Sequence, residues 1–162
     1  IGSGKILGGV PIQFVYMLVV IVISGLILNR TKFGRNIYAV GDNKQAASYS
    51  GINSRRVTMT VFVIMGIFAS CAGILSSART FSAQFNVGEG SEMDAISAVV
   101  LGGTSMSGGV GRLSGTIIGC IVIGVLNNGM NILGIDSSWQ YVVKGVVVLI
   151  AVFIDYIKKM KD

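Results

Sequence analysis

The chain has 162 residues, of which 52% are hydrophobic and only 12% charged, with a formal net charge of +6 and no His. A soluble domain carries about 25% charged residues and needs them to cover its surface, so a water-soluble globular fold is excluded. Glycine-rich disorder is excluded too, despite the 23 glycines, because disordered segments are poor in hydrophobic residues.

A helix needs about 20 mostly apolar residues to cross the ~30 Å core of a bilayer. Residues 10–28 are the first run of that length, with Pro11 expected in the first turn, where it is tolerated. The loop 29–56 follows. It carries Arg30, Lys32, Arg35, Lys44, Arg55 and Arg56 against one acid, Asp42. Basic residues accumulate on the cytoplasmic side, so this loop is placed inside. Within it, residues 41–51 predict a very short helix. Asp42 or Asn43 caps its start, Ala46 and Ala47 favour helix, and Gly51 suits the left-handed position after its end. Two turns of helix are unstable alone in water. The segment therefore either docks on a partner through its small alanines or belongs to a solvated basic loop that only sets orientation.

Residues 57–78 predict the second crossing, with Gly66, Ser70, Gly73 and Ser77 forming a small-residue face for close helix packing. Residues 91–111 start as a helix and then break at Gly102, Gly103, Thr104 and Ser105, continuing through Gly108 and Gly109. Irregular backbone in a membrane is tolerated only beside protein or a watery cavity. The break either lines a translocation path or is a structural kink. It is not a phosphate loop, since residues 102–111 contain no Lys. Residues 113–133 predict the fourth crossing. Gly111, Gly115 and Gly119 recur every four residues and stack on one face, a packing pattern. Asn127, Asn128 and Asn131 are polar residues within this span, read as interhelical hydrogen-bonding groups ahead of substrate contacts. Residues 139–157 predict the last crossing, with Lys144 expected to snorkel to the outer interface rather than act.

Counting charge decides whether residues 91–111 cross. If they do, Arg112, Lys158, Lys159 and Lys161 join the six loop residues inside, leaving only Lys5 and Arg79 outside and Lys144 within a span. The expectation is an all-α polytopic bundle of five crossings, with one discontinuous helix, its N-terminus outside and its C-terminus, at Asp162, in the cytoplasm. The basic residues flank apolar runs rather than forming a basic face, so no nucleic-acid partner is expected. Cys71 and Cys120 lie in apolar runs and are read as packing residues. With no His, no metal-ligand set exists. No nucleophile–base pair or carboxylate dyad occurs, so the chain is expected to lack a catalytic site. Ile1 opens inside the pattern, as in part of a longer chain.

Three stretches carry a family likeness. The first is Phe33-Gly34-Arg35-Asn36-Ile37-Tyr38-Ala39-Val40-Gly41-Asp42-Asn43, continued by Ala46-Ala47 and Ser50-Gly51-Ile52-Asn53. The second is Met93-Asp94-Ala95-Ile96-Ser97-Ala98-Val99-Val100-Leu101-Gly102-Gly103-Thr104-Ser105, with Gly108-Gly109-Val110-Gly111 and Gly115-Thr116. The third is Asn127-Asn128-Gly129, then Trp139-Gln140-Tyr141 and Lys144-Gly145. In order and spacing, over nearly the whole chain, these resemble the permease subunits of ATP-binding-cassette sugar importers of the ribose, xylose and galactoside type. Asp42 stands where Gly is common in the family, and family members are roughly twice as long, so the chain looks like a C-terminal half.

The resemblance implies a bacterial cell membrane and a coupling helix that docks on a separate ATP-binding subunit. The residues concerned are Phe33, Gly34, Arg35, Tyr38, Gly41, Asn43, Ala46, Ala47 and Gly51. It implies a translocation path that includes Asp94, Gly102, Gly103, Thr104, Ser105, Gly108, Gly109, Asn127 and Asn128. Its partners are an extracytoplasmic sugar-binding protein, a second permease subunit in a homodimer, and membrane lipid. No cofactor is bound by this chain, and ATP is used by the partner. Residues 139–145 lean towards the galactoside members. The alternatives are a self-sufficient channel or secondary transporter, and a permease for branched-chain amino acids.

Overall fold

The computed structural model describes residues 5–6, 10–82 and 88–161, so Ile1 and Asp162 lie outside the described residues. The described chain is almost entirely helical, apart from the two-residue antiparallel strands β1 (Lys5–Ile6) and β2 (Val10–Pro11). It divides between Glu89 and Gly90 into two compact units.

The first unit holds α1 (Ile12–Arg30), α2 (Lys32–Asp42), α3 (Lys44–Tyr49) and α4 (Ser54–Thr80). Pro11 stands just before α1 in an extended conformation, not in its first turn. One residue then turns the chain. The Thr31 hydroxyl donates to Ile27 O at 2.6 Å and accepts from Gly34 N at 3.1 Å, closing α1 and capping α2 together. A Cβ at Gly34 would overlap the backbone carbonyls of Leu28 and Ile27, so only glycine lets α2 start this close to α1.

The eleven-residue α2 was not predicted. Phe33, Ile37 and Val40 do recur at helical spacing, and Ile37 closes an apolar groove of about 160 Å³ between α1 and α4, beside Leu28 and Phe68. The short helix appears as α3, one turn and a half long. Asn43, not Asp42, caps it, its side-chain oxygen accepting from Gln45 N and Ala46 N at 3.0 Å each. It ends with Gly51 at φ +81°, where Gly51 N bonds Ser48 O and Ile52 N bonds Ala47 O. A side chain at Gly51 would meet nothing, so the position demands conformation and not space. Gly51→Ala is expected to cost about 1 kcal/mol through backbone strain alone, and Asn43→Ala about 1 kcal/mol through the lost cap. Thermal melting of the purified protein measures both.

α4 is 27 residues long, about 40 Å. Its start is tied down by Asn53, which caps Arg56 N at 3.1 Å, and by the Ser54 hydroxyl on Lys44 O at 3.4 Å. At Gly66 and Gly73 of the small-residue face expected on it, nothing among the described residues lies within 4 Å of an added Cβ.

The second unit holds α5 (Ser91–Leu101), α6 (Leu113–Ile132) and α7 (Ser137–Lys161). α5 packs against both α6 and α7. It stops where the break was expected. Gly103, at φ +81°, closes it by the same pair of bonds that ends α3, Gly103 N to Val100 O and Thr104 N to Val99 O. Residues 102–112 then turn back into α6, held by Ser105 N to Val110 O at 2.9 Å and by the Ser105 hydroxyl, which accepts from Ser107 N at 3.3 Å.

α1, α4 and α6 are long and apolar enough to cross a membrane, and the apolar stretch Ser137–Phe153 of α7 is shorter. Their large side chains face outwards: Phe14, Val22 and Leu26 on α1, Phe62 and Ile74 on α4, Ile118 and Val125 on α6, Leu149 and Phe153 on α7. Among the described residues the buried hydrophobic ones are few and mostly small or medium, Ala47, Val57, Ala98, Val100, Ile123 and Met130. An apolar exterior around so small a core belongs in lipid or against other helices. The chain is a multi-pass membrane protein.

Candidate functional site

α5 and α6 run antiparallel, and their contact is built on residues four apart in each helix. A Cβ on Gly119 would overlap the carbonyl oxygen of Ala98, and one on Gly115 would overlap that of Gly102. The backbones therefore touch. Gly111, grouped with these two in the sequence, is not in the helix, because α6 begins at Leu113 after an extended Arg112. Gly111 packs instead against the Thr104 side chain.

The same four-residue step carries the contact from Gly102 through Ala98 to Asp94, and from Gly115 through Gly119 and Ile123 to Asn127. There the packing turns polar. Asn127 Nδ2 donates to Asp94 Oδ2 at 2.9 Å. From α7, Lys144 Nζ reaches Asp94 Oδ1 at 2.6 Å and lies 5.6 Å from the centre of the Tyr141 ring, within cation–π range. Asp94 Oδ1 carries this ion pair without an aligned hydrogen bond, and Asn127 Oδ1 is buried with no partner among the described residues.

Lys144 is thus not snorkelling. It is 8% exposed, because a carboxylate on a neighbouring helix satisfies its charge more closely than the interface would. Among the residues expected on a path, Asp94 and Asn127 are brought together, while Asn128 is exposed and outside the cluster. Lys144 is the member that the sequence reading missed.

Around the cluster the helix ends are fixed. Gly90, at φ +80°, precedes α5 under the Tyr141 ring, where a Cβ would lie 2.6 Å from the ring. Gln140 Nε2 donates to Asn131 Oδ1 and to Ile135 O, at 2.9 Å each, binding the α6–α7 turn to the start of α7. Asp94 lies in the first turn of α5, where the helix dipole favours a carboxylate.

In the first unit, the residues expected to couple to a partner divide by exposure. Gly34 and Ala47 are buried, and Phe33 and Tyr38 are half-buried. Arg35, Gly41, Asn43, Ala46 and Gly51 are exposed, and Tyr49 is 90% exposed. Ala47 therefore faces the chain's own helices, and the free face of α3 is that of Ala46 and Tyr49.

Comparison with known proteins adds the family. Residues 3–152 match the family described as the branched-chain amino acid transport system / permease component. The chain is 49% identical over 154 residues to the ribose import permease protein RbsC of Bacillus subtilis, covering 95% of this chain and 48% of that protein. It is 48% identical to RbsC of Escherichia coli K12, again over 95% of this chain and 48% of that one. The xylose transport system permease protein XylH of Haemophilus influenzae is 44% identical over 94% of this chain and 41% of its own length. The chain spans about half the length of these relatives. Their names carry ribose and xylose, so the galactoside lean of residues 139–145 gains no support. No solved structure matches the chain.

Proposed function

Since the chain belongs to the branched-chain amino acid transport system / permease component family, we propose that it forms part of the membrane subunit of an ATP-binding-cassette importer that moves a pentose into the cell. The observation that carries this reading is the 49% identity to a ribose import permease over 95% of the chain. In this reading the chain does no catalysis. A separate ATP-binding subunit hydrolyses ATP, an extracytoplasmic binding protein delivers the sugar, and a second permease subunit completes the path. The N-terminal end of the segment lies outside and its C-terminal end in the cytoplasm. The family description names branched-chain amino acids, but the relatives compared above are named for sugars.

Uptake by cells carrying the complete transporter tests this. Labelled D-ribose and D-xylose are expected to accumulate only when the ATP-binding subunit is present. Leucine accumulation would move the chain to the amino-acid members, and pentose uptake without the ATP-binding subunit would favour a self-sufficient carrier.

The loop 29–56 is the proposed coupling element. An energising subunit drives transport only through contacts that differ between the inward-open and outward-open states, and α3 offers a slim exposed face for such contacts. Ala46→Arg adds bulk to that face without touching the chain's interior. It is expected to reduce sugar-stimulated ATP hydrolysis at least about ten-fold, roughly the loss of one good contact, while sugar binding to the external receptor is unchanged. Ala47→Arg acts differently, since Ala47 is 4% exposed, and should unfold the loop itself. Orientation is checked with Tyr49→Cys in a background where Cys71 and Cys120 are Ser. A membrane-impermeant maleimide should label it only after the cells are permeabilised, and labelling of intact cells would reverse the topology.

A further inference from the structure

Hydrogen-bonding capacity is left over where α5, α6 and α7 meet. Asn127 turns its NH2 towards Asp94, which leaves its Oδ1 buried and unpartnered among the described residues. Lys144 has three N–H donors and is 8% exposed, yet among the described residues the polar atom paired with it is Asp94 Oδ1. The Tyr141 ring offers the ammonium a π face and not an oxygen. Buried polar groups are nearly always hydrogen-bonded, so a spare acceptor beside spare donors calls for a third party.

Charge narrows what that party is. Asp94 already neutralises Lys144, so the cluster has no excess charge to attract an ion. An apolar molecule would leave both spare groups unmet. A hydroxyl both donates and accepts, and two neighbouring hydroxyls serve the amide oxygen and the ammonium together. The Asp94 side chain is 31% exposed and Tyr141 is 45% exposed, so the cluster reaches the outside of the chain at its edge, with Asn127 Oδ1 and Lys144 beneath that edge.

We propose that Asn127 and Lys144, held by Asp94, form a hydroxyl-recognition site that contacts the sugar in transit. Lys144 donates to one hydroxyl and Asn127 Oδ1 accepts from its neighbour. The proposal rests on the importer reading and adds to it the residues that read the sugar. Water is the other source of the same chemistry.

The test uses the complete transporter in proteoliposomes, with its ATP-binding subunit and binding protein. Uptake of D-ribose is compared with that of 2-deoxy- and 3-deoxy-D-ribose, each at a concentration that saturates the binding protein. D-ribose is expected to exceed at least one analogue about ten-fold, the value of one hydrogen bond. Asn127→Ser keeps a polar side chain but is too short to present the acceptor, and Asn127→Leu removes it. Both should bring that ratio close to one. An unaltered ratio in Asn127→Ser, or no preference in the parent, assigns the site to water and overturns the proposal. If Asn127→Leu fails to co-purify with the ATP-binding subunit, Asn127→Ser decides. If neither co-purifies, the cluster is a packing element and the proposal fails. A parent transporter that moves no pentose faults the importer reading instead, before any variant is compared.

Discussion

Lys144→Met alone is expected to cost the folded protein about 3 kcal/mol, and adding Asp94→Leu to recover part of that loss. The single change nearly keeps the length of the side chain, short by one atom, and removes its charge. Asp94 is then left as an unpaired carboxylate, with Asn127 Nδ2 as its remaining donor. The Asp94 side chain is 31% exposed, so part of its charge still reaches polar surroundings. That places the cost at the lower end of the ~3–5 kcal/mol for breaking a buried pair. The double variant replaces both charges with apolar groups of similar volume, an exchange that is often neutral or stabilising. The thermal midpoint of the detergent-solubilised transporter reads both. Equal melting of the parent and Lys144→Met would mean that the pair does not form in the assembled protein. The double variant should also separate stability from recognition, melting closer to the parent than Lys144→Met does, short of it by the donor that Asn127 Nδ2 loses, while losing the proposed discrimination between ribose and its deoxy analogues.

What the sequence revealed and what it concealed follow from the range of the forces involved. α1, α4 and α6 were legible because a bilayer demands a long apolar run, and composition alone reports one. The cap at Asn43 and the turn at Gly51 were legible because both act within three residues of themselves. α2 was not, although Phe33, Ile37 and Val40 have helical spacing, because two glycines, Gly34 and Gly41, lower the helix propensity of so short a segment. Gly34 is required by the approach of α2 to the carbonyls of Leu28 and Ile27, a contact that no local pattern announces.

Lys144 is the clearest case. Five residues past Trp139, a lysine in an apolar run reads as an interfacial one. Its partner, Asp94, is 50 positions earlier on another helix, so the pairing belongs to the tertiary structure. A usable signal was nevertheless present. Asp94 is followed by an unbroken run of small and apolar residues from Ala95 to Leu101, and an acid on such a helix needs a cation or a hydrogen-bond donor from elsewhere in the fold.

Two glycines on one helix should respond to the same substitution with opposite signs. Gly→Ala within a helix ordinarily stabilises by about 1 kcal/mol, since alanine loses less backbone freedom on folding. At Gly124 nothing lies within 4 Å of the added carbon, so Gly124→Ala should show that gain. At Gly119 the carbon would overlap the carbonyl oxygen of Ala98. Backbone cannot rotate out of the way as a side chain can, so α5 and α6 must separate. Their separation stretches the Asp94–Asn127 hydrogen bond, about two turns further along α6, and opens the seam beside Ile123. Overpacking of this kind costs about 1–3 kcal/mol, and the backbone contact places Gly119→Ala at the upper end, outweighing the propensity gain. Gly119→Leu should abolish assembly with the proposed ATP-binding subunit. The measurements are melting temperature for the alanine variants and co-purification for the leucine one. If Gly124→Ala destabilises as much as Gly119→Ala, the Gly124 face is occupied by another helix of the complete transporter. If Gly119→Ala stabilises, the backbone contact between α5 and α6 is wrong.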